Sequence, residues 1–170
     1  MKFRLIKNME IINKCLSLKE IKKYIKEKKV EREIDKVVIH HTSDTIKNWK
    51  EGKDSCLLYK KAYEKKGWIS GPHFFISPEG IWLFTDIDKE GQHANKGNKA
   101  SIGIEIVGNY DKVLPKGKIL KYSKELILIL LNKFNLKKRS IHFHREYNKQ
   151  KTCPGKMITK KWLFNQLLTK

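Results

Sequence analysis

The chain has 170 residues, a length that suits one globular domain and leaves little room for two. Hydrophobic residues make up 39%, enough for a packed core, which excludes general disorder. Lys and Arg outnumber Asp and Glu by 38 to 18, and the net charge of +20 points to polyanions (nucleic acid, anionic lipid or acidic wall polymers) without choosing among them. Coding bias is a second explanation for the charge, since Lys, Ile and Asn are abundant together.

Met1-Lys2-Phe3-Arg4 opens like a signal peptide, but Lys7, Asn8, Glu10, Asn13 and Lys14 interrupt the apolar stretch before an h-region forms. No apolar run approaches the roughly 20 residues a membrane span needs. Cys15, Cys56 and Cys153 are odd in number and widely spaced, which argues against a disulfide framework. The expectation is a monomer made in a reducing cytoplasm, with any action outside the cell requiring another export route.

In chain order, Ser17-Leu-Lys-Glu20 reads as a capping box, and Leu18, Ile21, Tyr24 and Ile25 follow at helical spacing. Residues 1–33 are therefore expected to form a helical extension packed on a main domain spanning 34–170. A membrane-surface helix is disfavoured by its small apolar face. Residues 34–41, with Val37, Val38 and Ile39, read as a central buried strand. Residues 54–66 read as a helix with Asp54 as N-cap and Gly67 beyond its end. Residues 73–77 and 81–85, joined by Pro78-Glu-Gly80, read as a hairpin. Residues 101–107 form another β-branched run, 123–134 a long helix, 140–144 a short strand and 159–168 a closing helix. This alternation predicts an α/β fold, a mixed central β-sheet flanked by helices.

The chemistry-bearing residues gather at strand ends. His40 and His41 end one apolar run. His142 and His144 flank the end of another, and Cys153 follows in a polar turn with Lys151 two residues before it. Zinc accepts imidazole nitrogen and thiolate sulfur, and a catalytic zinc keeps three protein ligands and one open position. Side-chain alternation forbids His40 and His41 from sharing one face of a regular strand. On the residues alone, both His40/His144/Cys153 and His142/His144/Cys153 remain open as ligand sets. Cys153 beside a cation also fits a cysteine nucleophile paired with a histidine. A carboxylate at Glu105, inside an apolar strand, is costly unless it is paired or functional. Trp49, Trp68 and Trp82 fit core packing better than a saccharide groove. The positive charge suggests a nucleic-acid binder, but no RNA- or DNA-binding signature accompanies it.

Four segments, in order, resemble the zinc-dependent N-acetylmuramoyl-L-alanine amidases, a group that includes phage lysozymes of amidase type, anhydro-muropeptide amidases and animal peptidoglycan-recognition proteins. They are Val37-Val-Ile-His-His-Thr42; Gly71-Pro-His-Phe-Phe-Ile-Ser-Pro-Glu-Gly80; Gly91-Gln-His-Ala-Asn-Lys-Gly-Asn98 with Ser101-Ile-Gly-Ile-Glu-Ile-Val-Gly108; and His144-Arg-Glu through Lys151-Thr-Cys-Pro-Gly155. The resemblance implies one catalytic Zn²⁺ held by His40, His144 and Cys153. It implies Glu105 as general base, Lys151 as oxyanion stabiliser, and His73, His93 and Asn98 as substrate-binding residues. Pro72 departs from the pattern, since many members carry a catalytic tyrosine there; that role falls to Glu105 or His73. The implied reaction is hydrolysis of the amide between N-acetylmuramic acid and L-alanine in peptidoglycan. Two settings fit a chain without a signal peptide: an endolysin released to the wall through a holin, or a cytosolic muropeptide-recycling enzyme. A non-catalytic peptidoglycan-binding module is the rival. The implied partners are peptidoglycan or muropeptides, with anionic wall polymers as further binders, and no specific nucleic acid or membrane span.

Overall fold

The computed structural model describes residues 8–50 and 52–168. The signal-peptide-like start, Met1 to Arg4, lies outside the described residues. Among the described residues six strands form one sheet: β1 (Lys14–Leu16), β2 (Lys36–His41), β3 (Phe74–Ile76), β4 (Ile81–Leu83), β5 (Ser101–Ile106) and β6 (Ile141–Phe143). Their spatial order is β1-β4-β3-β5-β2-β6. The inner strands β3, β5, β2 and β6 run parallel to one another, and β4 is antiparallel to both β3 and β1. The sheet is mixed and carries the helices α1 (Leu18–Glu27), α2 (Gly52–Lys65), α3 (Gly117–Lys133), α4 (His144–Tyr147) and α5 (Lys160–Gln166). No described helix is long and apolar enough to cross a membrane.

Strand alternation divides the sheet into two chemically different faces. Val37, Ile39, Phe74, Ile76, Ile81, Ile102, Ile104 and Phe143 point to one, where Ile21 and Ile25 of α1, Leu126, Ile127 and Leu130 of α3, and Leu163 of α5 cover them. Each fully buried side chain of this kind contributes roughly 1.5–3 kcal/mol of transfer free energy. The opposite face carries Val38, His40, Phe75, Trp82, Gly103 and Glu105, and α2 covers part of it with Cys56 and Tyr63. Register puts His40 directly beside Glu105, so two polar side chains project side by side from adjacent central strands.

The capping box forms as expected. The Glu20 amide donates to Ser17 Oγ at 3.3 Å, and the Ser17 amide donates to Glu20 Oε2 at 2.9 Å. Ile21 and Ile25, one turn apart, are fully buried and dock α1 against α3. Residues 14–16, read only as part of a helical extension, add the edge strand β1; three residues carry too little pattern for such a pairing to be visible in sequence. Arg32 ties the same region to the domain by donating to the Ile87 and Ser101 carbonyls, both at 2.9 Å.

Two helix starts differ from expectation. α2 begins at Gly52 and Asp54 lies inside its first turn. A Cβ at Gly52 would lie 2.2 Å from the Trp82 ring, so this entry requires a residue without a side chain. α3 begins at Gly117, ahead of Ser123. Ser123 is buried and donates to the Ile119 carbonyl at 2.7 Å, four residues back, which seats it inside the helix.

Candidate metal centre

β2, α4 and the turn after α4 converge at one end of the polar face. β2 delivers His40, which is buried. β6 stops at Phe143, and Glu146 Oε1 accepts the Phe143 amide at 2.8 Å, which starts the short helix α4 at His144. His144 has therefore left the strand, so strand alternation does not tie it to His142. His142 stays in β6 and contacts Glu146 Oε2 through Nδ1 at 3.0 Å. His40 Nδ1 and His144 Nδ1 lie 3.1 Å apart, and the ligand atoms of His40, His144 and Cys153 all lie within 4.8 Å of one another. Zinc–nitrogen bonds of about 2.0–2.1 Å in a tetrahedron separate two nitrogens by about 3.3 Å. The donor set and its spacing therefore fit zinc.

The turn carrying Cys153 is built by residues that sequence reasoning passed over. Arg145 donates to the carbonyls of Thr152 (3.0 Å), Gly155 (3.0 Å) and Ile158 (2.7 Å), and its amide donates to the Cys153 carbonyl at 3.0 Å. Asp111 accepts the Thr152 hydroxyl at 3.2 Å and the Lys156 amide at 3.0 Å. One arginine thus links the histidine and cysteine segments. Its position directly after His144 is the only sequence signal it leaves. His41 points to the other face, where its Nδ1 accepts the Tyr110 amide at 3.1 Å, as strand alternation requires. Its backbone amide nonetheless donates to Cys153 Sγ at 3.4 Å, a contact suited to a thiolate.

Burial holds His40 well below the usual imidazole value, with His144 and His41 adding to the effect. His144 is lowered by burial and then by Lys151. Both rings are therefore neutral near neutral pH, the form that ligates metal. Burial pushes the Cys153 thiol upward and Glu105 adds to this, while the His41 amide, Arg145 and Lys151 oppose it. Without metal Cys153 is a neutral thiol, which argues against an activated cysteine nucleophile.

Glu105 is buried at the wall of the same cleft. Burial raises its carboxyl to about 8, with Lys66 pulling the other way. Lys151 lines the cleft from the opposite segment. Tyr63 and Lys66, which sequence reasoning did not assign, complete the wall together with Trp68, which was expected in the core and instead lines the cleft. Tyr63 stacks on Trp68 with centroids 5.0 Å apart, and Lys66 Nζ lies 5.7 and 5.2 Å from the two rings. Their contribution depends on how α2 packs, which no local motif encodes. Trp82 is core, and Trp49 packs against Phe75 beside a neighbouring groove.

The three residues expected to bind substrate are placed differently from one another. His73 is fully buried and outside the cleft: its Nδ1 accepts the Gly103 amide at 2.9 Å and its Nε2 faces the Lys89 carbonyl at 3.0 Å. Burial and Arg32 hold it down at about 3, so it is a neutral structural histidine with no free nitrogen for substrate or for proton transfer. His93 touches the cleft but lies behind His40, with His40 Nε2 and His93 Nδ1 3.0 Å apart. Asn98 spends its side-chain oxygen on the amides of His93 (2.9 Å) and Ala94 (2.6 Å).

The family model for N-acetylmuramoyl-L-alanine amidase matches residues 30–156. Among curated proteins none matches the chain. Among solved structures, the chain is similar to the endolysin amidase LysCS from Clostridium intestinale, at 25% identity and TM-score 0.67 over 82% of this chain and 86% of that one. It is similar in fold to Drosophila PGRP-LB, at 24% identity and TM-score 0.64 over 75% and 78%. It is also similar in fold to the Ph2119 endolysin of a Thermus scotoductus bacteriophage, at 18% identity and TM-score 0.64 over 79% and 85%. With a family match across most of its length and a histidine–histidine–cysteine cluster lining its cleft, the chain belongs to the N-acetylmuramoyl-L-alanine amidase family and to that family's enzyme class, the amide hydrolases.

Proposed function

We propose that the protein hydrolyses the amide between N-acetylmuramic acid and L-alanine of peptidoglycan with one zinc ion held by His40, His144 and Cys153. The observation that carries this reading is the position of Glu105, a buried carboxyl on the strand beside His40 and in the same cleft as the three ligands. Bound zinc supplies Lewis acidity toward a carbonyl and acidifies a water. Glu105 accepts the proton of the attacking water and returns it to the leaving amine, and its raised pKa suits both steps near neutral pH. Lys151 faces the oxygen that gains negative charge; one donor of this kind is worth about 100- to 1000-fold in rate. The His41 amide and Arg145 hold the sulfur and its turn in place. Pro72 has no proton to offer and His73 is engaged elsewhere, which leaves Glu105 with the proton work. The groove beyond Thr42, lined by Trp49, Leu58 and Tyr59, adjoins the cleft and offers apolar surface to a stem peptide.

The protein acts on the wall as an endolysin, and its charge of +20 serves attraction to anionic wall polymers. The test is release of new L-alanine amino groups from purified peptidoglycan before and after chelation, with zinc restored afterwards. Amine release that disappears on chelation and returns with zinc is expected. Release that survives chelation would point to thiol chemistry, and a zinc-loaded protein that releases none is a binding module.

A further inference from the structure

The loop 91–98 and the start of β5 build a device behind His40 that the proposed mechanism does not use. His93 is buried and its ring meets that of His40 edge-on, with centroids 5.0 Å apart at 89°. The approach is possible because residue 103 is glycine: a Cβ there would lie 2.6 Å from the His93 ring. Asn98 folds the loop by accepting the His93 and Ala94 amides, so the ring is delivered by a braced turn.

The hydrogen bonds around His93 have one consistent direction for neutral rings. The Ser101 hydroxyl has a single proton and donates it to the Asn98 carbonyl at 2.7 Å. Ser101 Oγ must then accept from His93 Nε2, 3.2 Å away. With the proton on Nε2, His93 Nδ1 is bare and accepts from His40 Nε2 at 3.0 Å. His40 Nδ1 is therefore bare too, and it is the atom that faces His144 Nδ1 at 3.1 Å.

We propose that His93 is a positioning residue for the ligand His40: the chain His40–His93–Ser101–Asn98 carbonyl fixes the tautomer that presents Nδ1 to the metal and holds the ring there. The inference rests on the zinc reading above. It gives His93 and Asn98 a task other than substrate contact, and it explains why a small hydroxyl residue and a glycine stand at 101 and 103. Outer partners of metal-bound histidines typically change metal affinity by about 10- to 100-fold.

The test compares zinc affinity, by competition with a chromogenic chelator, for wild type, His93→Ala and His93→Asn, with thermal unfolding of each metal-free protein as a folding control. Asparagine can place an acceptor oxygen near the position of Nδ1. His93→Ala is expected to bind zinc about 10- to 100-fold more weakly and His93→Asn to recover most of the loss. Equal zinc affinity in all three, with KM for muropeptide raised in His93→Ala, would overturn the proposal in favour of substrate contact. Wild type that binds no zinc would overturn the zinc reading itself, a distinct result. Should His93→Ala fail to fold, long-range ¹H–¹⁵N spectra of metal-free wild type decide: His40 with bare Nδ1 and protonated Nε2 supports the relay, and the reverse tautomer sinks it.

Discussion

The two faces of the sheet are built on opposite principles. One is apolar except for His41 at its end and is closed by α1, α3 and α5; its apolar residues need only volume and burial. The other gives up apolar packing at one end to hold His40, His93 and Glu105 under little solvent, with Tyr63, Lys66 and Trp68 opposite. Buried polar groups cost free energy unless they are paired. The three imidazoles at 40, 93 and 144 satisfy part of that need among themselves, and a metal would satisfy the rest. Stability thus resides mainly on one face and chemistry on the other, and substitutions should separate the two.

Among substitutions that leave the metal ligands in place, the largest expected effect on catalysis is from Glu105→Gln. Removing the proton acceptor should lower kcat by about 100- to 10,000-fold with zinc content unchanged, measured by amine release beside metal analysis. Lys151→Met comes next, with kcat lower by about 100- to 1000-fold and zinc still bound. On the apolar face, Ile127→Ala should cost about 2–5 kcal/mol in denaturant unfolding and leave kcat of the folded protein near wild type. A comparable loss of kcat there would break the division between faces.

The last effect belongs to the metal-free protein and lies in pH dependence. Burial raises Glu105 from 4.5 to about 8, so between these values the folded metal-free protein holds a proton that the unfolded chain has released. Stability from this group is full below about 4.5 and is lost as pH rises through about 8. Metal-free Glu105→Gln should therefore gain on wild type across that window. Parallel unfolding curves for the two proteins from pH 4.5 to 8 would contradict the burial of an ionisable carboxyl at this point.

What sequence could reveal followed from how local each signal is. The Ser17–Glu20 box and the β-branched runs of β2 and β5 declare themselves within a few residues, and both formed. β1 depends on pairing with distant β4, and the start of α3 was hidden by a serine whose hydroxyl bonds back within the helix. Strand alternation put His40 and His41 on opposite faces, but it could not show that the chain leaves β6 for a helical turn at His144. The histidine–histidine–cysteine cluster was legible because its residues are rare and their order distinctive. Arg145, Tyr63 and Lys66 were not, because an arginine that braces a turn looks like any other basic residue until its three carbonyl partners are seen. His73 misled for the converse reason: a histidine within a recognisable motif can be there to accept a backbone amide.

The most direct test of the account is Cys153→Ser beside wild type, with zinc stoichiometry and amine release from peptidoglycan measured on the same preparations. Loss of both zinc and hydrolysis, with the fold retained by circular dichroism, is the predicted result. A serine variant that releases amines at the wild-type rate would contradict the metal centre on which the account rests.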